Sequence, residues 1–213
     1  MLKPIIIIII IFALIYGVYH YVNTPQITDI GSSKINVNRD PVQSQVVDPK
    51  PIIYRENSLN LEIYPLYKYV INANLVSKKK YVSGWSSKIS PYDFALAWGK
   101  VAHPGNLLRL KFRQTLRWYT YRYDNDLELS PQYITYHTSN NHMIPATDNI
   151  KKAISSVKEG DLVRITGYLV NVSGSYKDKG VKWSTSQSRE DNGDGACEII
   201  YVTEIKIGSN IYR

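Results

Sequence analysis

An unbroken apolar segment near the N-terminus constrains this chain more than any other feature. It reads IIIIIIIFALIYGVYHYV from Ile5 to Val22 and contains no Asp, Glu, Lys or Arg. As a helix, this segment extends about 27 Å, close to the ~30 Å hydrocarbon core of a bilayer. In a soluble fold, seven consecutive isoleucines would need apolar cover on every side. The segment therefore predicts a single transmembrane helix, with the lipid bilayer as its partner through residues 5–22.

The charges that flank this helix predict its orientation. Lys3 precedes it, and the next charged residue is Asp29. The positive end stays in the cytoplasm, so residues 1–4 form a cytoplasmic N-terminus and the remainder is exported. A cleaved signal peptide is the alternative, but the apolar stretch is longer than a usual h-region and no A-x-A site follows it. We expect an uncleaved signal-anchor in the inner (cytoplasmic) membrane, single-pass, with the domain facing the periplasm or the cell exterior.

The composition changes after the apolar segment and again near residue 58. Residues 23–57 contain four prolines, few aromatic side chains and equal numbers of acidic and basic residues. This composition predicts a flexible linker. Residues 58–207 return to alternating apolar and polar patterns and predict a globular extracytoplasmic domain. Residues 208–213 are expected to form a short C-terminal tail.

The domain shows more strand signals than helix signals. The motif SPYDFALAWG predicts a helix that begins at Ser90-Pro91 and ends at Gly99. A second short helix is predicted from Pro104 to Leu110, and a third helix, capped by Thr147 or Asp148, carries an apolar stripe. Strands are predicted at Leu59–Tyr64, Tyr67–Val76, Arg117–Tyr123, Asp161–Val172, Val181–Gln187 and Glu198–Ile207. The expected fold class is mainly β with short helices (α+β). The expected architecture is a small antiparallel OB-like barrel (oligonucleotide/oligosaccharide-binding) with helical insertions. An open antiparallel α+β sheet is the alternative.

Five motifs occur in a fixed order between about residues 66 and 205. They are SPYDFALAWG, RWYTYR, NNHMIPA, GDLVRITGYLV and SREDNGDGACEIIYV. Together they resemble an uncharacterised family of bacterial membrane-anchored proteins. The spelling SQSRED departs from the SLSRxD or SLTRxD of that family, although Arg189 and Asp191 remain. The resemblance implies a membrane-anchored bacterial protein, but it implies no reaction.

The residue counts exclude several classes of site. The single cysteine excludes an intrachain disulfide and a multi-cysteine metal site. The four histidines show no HExxH motif, so neither a catalytic zinc nor another cofactor is expected. Asp191, Asp194 and Glu198 could bind Ca²⁺, but their spacing is not that of the 12-residue calcium loop. The favoured interpretation is a tight turn in which Asp191 caps its own backbone and pairs with Arg189. We expect no metal.

A catalytic function is the second hypothesis for the domain. The catalytic candidates are His142, Asp191 and Glu198, which could serve a hydrolase that acts on an envelope substrate. His142 lies in a stretch predicted as coil, with Asp93 and Asp191 as possible partners. Cys197 could be a nucleophile beside His142, or a small buried apolar residue. Because these residues do not make a complete catalytic set, a protein without enzymatic activity is favoured.

Basic and aromatic residues alternate between Arg109 and Tyr123, with no acidic residue between Arg109 and Arg122. In the cytoplasm this pattern would favour single-stranded nucleic acid. Outside the membrane, anionic headgroups and cell-wall or capsule polymers are the expected polyanions, and a solvated strand face is equally compatible. The ligand-binding candidates are Asp93, Trp98, Arg117, Trp118, Tyr119, Arg122, Asn141, His142, Trp183, Arg189 and Asp191.

These observations predict a membrane-anchored extracytoplasmic binding or assembly module with an unidentified ligand. The formal net charge of +8 at pH 7 is consistent with an anionic polymer as partner. Other envelope proteins are a further expected class of partner. An envelope hydrolase is one alternative. Nucleic-acid binding during DNA transfer is another, which the predicted location does not favour.

Overall fold

The N-terminal helix stands apart from the rest of the chain. The computed structural model describes residues 2–188 and 197–213. The first helix, α1, spans Leu2–Asn23, and every residue from Ile5 to Val22 is exposed. By length and composition α1 could cross a membrane. An exposed apolar surface of this extent is unfavourable in water, because each apolar side chain would remain hydrated.

The described part of the chain after α1 is mostly β-structure. Twelve strands are present: β1 (Asp29–Ile30), β2 (Val42–Gln45), β3 (Ile52–Glu56), β4 (Leu59–Lys80), β5 (Tyr92–Ala97), β6 (Leu110–Thr115), β7 (Trp118–Tyr123), β8 (Thr138–Pro145), β9 (Leu162–Tyr176), β10 (Lys179–Trp183), β11 (Glu198–Ile207) and β12 (Asn210–Tyr212). The short helices are α2 (Trp85–Ile89), α3 (Pro104–Leu107), α4 (Pro131–Tyr136), α5 (Asp148–Ser156) and a 3₁₀ turn at Gly99–Ala102. The prediction of a mainly β protein with short helices is confirmed.

Ten of these strands form one mixed sheet. β4 pairs with β5, β5 with β8, β8 with β11, β11 with β9, and β9 pairs again with β4. All of these pairs are antiparallel except β8 and β11, which run parallel. The sheet is therefore mixed, and the prediction of a purely antiparallel arrangement is wrong on this point. The two strands β6 and β7 form a separate hairpin.

The main core lies on one face of this sheet. Alternate residues of β4 such as Ile71 and Leu75 are fully buried there, together with Phe94 from β5 and Val163 from β9. Helix α5 covers this core with an apolar stripe that includes Ile150. The sequence predicted this helix and one of its two proposed caps, because the Thr147 side chain accepts a hydrogen bond from the Ile150 amide.

The prediction of a helix in SPYDFALAWG is wrong. Residues Tyr92–Ala97 form β5, and all six are buried between β4 and β8. A strand buried on both faces is almost continuously apolar, so its sequence has no alternation that would distinguish it from a helix. The prediction of a coil at Asn140 and Asn141 is also wrong, since both residues lie in β8 and are fully buried.

The segment expected to be a flexible linker lies along the domain. β1 pairs with β12, while β2 and β3 both pair with β4. Asp40 accepts a hydrogen bond from the Trp98 indole N–H at 3.1 Å. The expected tail also contributes, because Asn210–Tyr212 pairs with β11. Strand pairing depends on backbone N–H and C=O groups, so a segment with few apolar side chains can still dock on an open sheet edge.

Candidate functional site

A cluster of polar side chains lies on the face of β5 and β8 that is opposite to the main core. Asp93 and His142 are directly opposite each other in the register of these two strands. Their neighbours Phe94 and Met143 point into the core, and successive side chains of a strand point to opposite faces. Asp93 is fully buried and His142 is 2% exposed. A carboxylate at such a position requires charged or hydrogen-bonding partners.

Arg117 reaches this cluster from the tip of the β6–β7 hairpin. The two turn residues Leu116 and Arg117 both have positive φ, at 51° and 70°. This is the conformation of a type I′ turn, which normally takes Asn-Gly, and it is strained for larger side chains. The strain places the Arg117 guanidinium 2.6 Å from Asp93 Oδ1. Strain of this kind persists where the surrounding contacts compensate for it.

Further hydrogen bonds hold the hairpin tip against the sheet. Arg117 Nη2 donates to the Ser90 carbonyl at 2.9 Å, and the Arg117 amide donates to Tyr81 Oη at 3.0 Å. The Arg117 carbonyl accepts from Asn140 Nδ2 at 2.8 Å. The guanidinium lies over the Tyr81 ring, 4.1 Å from its centroid. Arg117 therefore connects the tip of this hairpin to the β4–β5 connection and to β8.

His142 lies between the buried carboxylate and the aromatic surface of Trp183. Its Nδ1 is 2.9 Å from Asp93 Oδ1, within hydrogen-bond distance, although the two groups are not aligned as a hydrogen bond. A carboxylate beside Nδ1 favours a proton on that nitrogen. The imidazole and the Trp183 indole are 4.5 Å apart between ring centroids. With Nδ1 next to Asp93, Nε2 is the nitrogen left to face a ligand.

Cys197 borders the same cluster but is not activated. Its Sγ is 3.7 Å from Asn140 Nδ2 and 3.8 Å from the Arg117 carbonyl oxygen. Burial raises the pKa of the Cys197 thiol to about 11, and the Asn140 hydrogen bond offsets only part of this rise. A nucleophilic cysteine needs a thiolate near neutral pH. The environment of Cys197 instead keeps the thiol protonated.

These residues surround an open pocket of about 320 Å³. Its lining combines two cations, two indoles and three smaller polar groups: Arg117, Lys182, Trp118, Trp183, His142, Ser184 and Cys197. No carboxylate lines the pocket in the described part of the chain, since Asp93 is fully buried. Cations and aromatic faces together suit a ligand that carries a negative group beside a sugar ring or a planar ring.

The structure separates the predicted catalytic residues His142 and Glu198. Glu198 is opposite Asn141 in the parallel pair of β8 and β11, whereas His142 is opposite Ile199. Paired residues share a face, so Glu198 and Asn141 lie on the core side, away from the pocket. Arg189, Asp191 and Asp194 lie outside the described residues. In the described ranges, no group of three or more His, Cys, Asp or Glu side chains could hold a metal ion.

Other predicted binding residues lie away from the pocket. Trp98 is fully buried, donates its indole N–H to Asp40 and does not line the pocket. Tyr119 faces the domain and is hydrogen-bonded to Thr138 at 2.9 Å. Arg122 lies on the exposed face of the hairpin. The cations and tyrosines of the hairpin therefore occupy opposite faces and do not form one stacking surface.

Three residues of the site carried no signal that the sequence reasoning used. Tyr81 directly follows three lysines, a run that is typical of a solvated turn or sheet edge. Lys182 and Ser184 flank Trp183 in a predicted strand, where alternation places both of them on the face opposite to Trp183. A search for a lysine next to an aromatic residue would have found Lys80-Tyr81 and Lys182-Trp183, and with the latter its neighbour Ser184.

Comparison of the chain with protein-family models, with curated proteins and with solved structures gave no match. The resemblance to a family of membrane-anchored bacterial proteins therefore rests on the five sequence motifs alone.

Proposed function

We propose that this chain is a membrane-anchored extracytoplasmic binding module. In this proposal α1 lies in the bilayer with its N-terminus in the cytoplasm, and the domain binds a segment of an anionic polymer in the pocket beside His142. The carrying observation is the position of that pocket in the sheet. If the sheet is read as the OB-like barrel proposed below, the pocket lies on the face that ligands use in OB folds.

The strand pairings support an OB-like barrel. The sequence of pairs β4–β5–β8–β11–β9 returns to β4, and in chain order this corresponds to first, second, third, fifth and fourth strands. Only the third and fifth of these strands run parallel, and α5 lies between the third and the fourth. In OB folds, the second and third strands bind the ligand together with the first–second and fourth–fifth connections.

The pocket and the groups directly behind it come from these parts. The third strand of the proposed barrel supplies His142, and Asp93 of the second strand lies buried behind it. The fourth–fifth connection supplies Trp183 and Cys197, and Tyr81 of the first–second connection packs against Arg117 without lining the pocket. An insertion between the second and third strands adds Arg117 at the tip of its hairpin. The pocket and the cluster of Arg117, Asp93 and His142 therefore lie where the proposed architecture binds ligands.

The charge and size of the pocket support an anionic ligand unit. Lys182 is exposed, and the Arg117 side chain keeps part of its surface accessible and lines the pocket while it is paired with Asp93. The volume of about 320 Å³ is at the lower end for a small-molecule site, so it fits one or two ring-sized units. A polymer segment that is anchored at one unit and extends into solvent on either side is compatible with this shape.

A binding assay on the full chain in phosphatidylcholine nanodiscs tests the proposal. The probes are an acidic polysaccharide, a neutral polysaccharide of similar length and a single-stranded oligonucleotide. We expect binding of the acidic polysaccharide, with an affinity that falls as salt rises. Lys182→Gln should weaken binding by about tenfold and reduce the salt dependence, because one charge-assisted contact is lost.

Two further variants complete this experiment. Trp118→Ala removes a partly exposed ring from the pocket and should also weaken binding. Arg122→Gln removes a cation from the exposed face of the same hairpin and serves as the matched control, with wild-type affinity expected. Equal binding of the neutral polysaccharide, or wild-type affinity in both pocket variants, would contradict the proposal. Stronger binding of the oligonucleotide would favour the nucleic-acid alternative.

The orientation requires its own test. A protease added to intact spheroplasts, which expose the outer face of the inner membrane, should digest the domain if it faces outward. If the domain stays intact in spheroplasts but is digested after their membrane is permeabilised, the domain is cytoplasmic and the orientation is reversed.

Hydrolysis is the second candidate function, and the contact between His142 and Asp93 is the observation in its favour. A carboxylate that orients imidazole is the arrangement of a general base. The protonated thiol of Cys197 and the position of Glu198 on the opposite face weaken this candidate. Release of shorter products from the bound polymer, abolished by His142→Gln with binding retained, would establish it.

A further inference from the structure

A second pocket lies where the segment after α1 crosses the sheet. It has a volume of about 540 Å³ and is formed between residues 33–39 and the strands β4, β9 and β11. Four cations line it: Lys34 and Arg39 from the crossing segment, and Arg164 and Lys206 from the strands. It shares no lining residue with the pocket beside His142.

The strand register places three polar side chains in a row beneath this pocket. Asn72 on β4 is opposite Arg164 on β9, and Arg164 is opposite Lys206 on β11. Like charges directly opposite each other destabilise a sheet. In the described residues, no carboxylate lines the pocket and none forms an ion pair with these cations. In the part of the chain that the structure describes, no acidic neighbour therefore offsets the repulsion between Arg164 and Lys206.

Lys206 is the most unusual member of the group because it is only 3% exposed. Its Nζ donates to the carbonyl oxygens of Gly31 at 3.1 Å and Ser33 at 2.5 Å. An ammonium group has three donors, so one donor remains for an acceptor in the pocket. The ammonium can approach so closely because residue 31 is glycine: a Cβ there would lie 2.5 Å from Nζ. Burial of a charge needs such compensation.

We propose that this pocket binds a phosphate group, as a monoester or diester, between Arg164 and Lys206 on the sheet and Arg39 on the crossing segment. Each guanidinium group can bind phosphate through two parallel N–H donors. The remaining N–H of Lys206 adds a further donor from a third direction. The bound group neutralises the cations on both sides of the pocket. It therefore fastens residues 33–39 to β9 and β11 and holds the domain at a fixed distance from the end of α1.

Two sources can supply this chemistry, an anionic lipid headgroup and a soluble phosphate compound. The test uses the full chain in nanodiscs and measures amide hydrogen exchange of residues 33–39. In one arm, inorganic phosphate is added to phosphatidylcholine nanodiscs, with sodium chloride of equal ionic strength as the control. In the other arm, phosphatidylglycerol replaces phosphatidylcholine and no phosphate is added.

We expect at least tenfold slower exchange of these amides in one of the two arms, and no change with sodium chloride. Slowing with inorganic phosphate identifies a soluble source, and slowing only with phosphatidylglycerol identifies the headgroup. Arg164→Gln should abolish the effect. Arg39→Gln, at an exposed position of the crossing segment, should also abolish the effect. This second variant keeps the test decisive if Arg164→Gln disturbs the sheet. Arg113→Gln on the exposed face of the hairpin is the charge-matched control and should leave the effect intact.

Exchange that stays unchanged in both arms would overturn the proposal. Slowing that persists in both Arg164→Gln and Arg39→Gln would also overturn it, because the anion would then be bound elsewhere.

Discussion

The reactivity of Cys197 provides the sharpest test of how the site near His142 is arranged. The chain has one cysteine, so alkylation reports on a single atom. Burial raises the pKa of this thiol from 9.0 to about 11. At pH 8, a thiol with a pKa of 9 is about 10% ionised, whereas one with a pKa of 11 is about 0.1% ionised. We therefore expect alkylation of the native protein to be about a hundredfold slower than that of the unfolded chain.

The assay follows iodoacetamide labelling by mass spectrometry between pH 7 and 10, in the native state and in denaturant. Packing around the sulfur slows labelling equally at every pH, so the shape of the profile, and not the absolute rate, reports the pKa. The native rate should still rise about tenfold per pH unit up to pH 10, while the denatured rate levels off above pH 9. A native profile that levels off at or below pH 9 would refute the reasoning. A native profile that levels off near neutral pH would also restore Cys197 as a nucleophile beside His142.

The same pKa has a consequence for stability. Because the folded state raises the thiol pKa, the unfolded chain loses its proton first as the pH increases. The contribution of Cys197 to stability is therefore complete below about pH 9 and is lost as the pH rises towards 11. Cys197→Ser, compared with the wild type in urea denaturation at pH 8 and pH 10, should reduce this part of the pH dependence.

Substitutions at Gly167 and Asp93, with Gly180→Ala as a control, test the architecture. Gly167→Ala should destabilise the domain by about 3 kcal/mol or more, because the new Cβ would lie 2.0 Å from the Tyr201 carbonyl oxygen, whereas Gly180→Ala meets no atom within 4 Å and should be nearly neutral. Equal urea midpoints for the two variants would contradict this account. Asp93→Asn should cost about 3 kcal/mol, because it leaves the Arg117 guanidinium without its buried partner. The hairpin should then become more sensitive to limited proteolysis, and an unchanged digestion rate would exclude Arg117 as its anchor.

Several features could be predicted from the sequence because they depend on neighbours along the chain. The apolar segment from Ile5 to Val22 is identified by length and charge alone. Helix α5 has its cap at Thr147 and its stripe at helical spacing. The strand Glu198–Ile207 was predicted with the bounds that the structure has. Each of these signals is complete within one segment.

Other features depend on contacts between distant segments. Residues Tyr92–Ala97 follow the helix start signal Ser90-Pro91, yet pairing with β4 and β8 makes them a strand. The segment 23–57 looks like a linker by composition, but open sheet edges bind its backbone.

The site itself depends most on tertiary structure. The sequence by itself identified an apolar segment long enough to cross a membrane, a mainly β domain and a set of polar residues with reactive side chains. Only the strand register decided that Asp93 meets His142 while Glu198 faces the core, since a shift of one residue moves a side chain to the opposite face of a sheet. Only the strained turn of the hairpin brought Arg117 to them. Residue types and local periodicity are written in the chain, but the face on which each polar side chain lies is set by backbone pairing over long sequence distances.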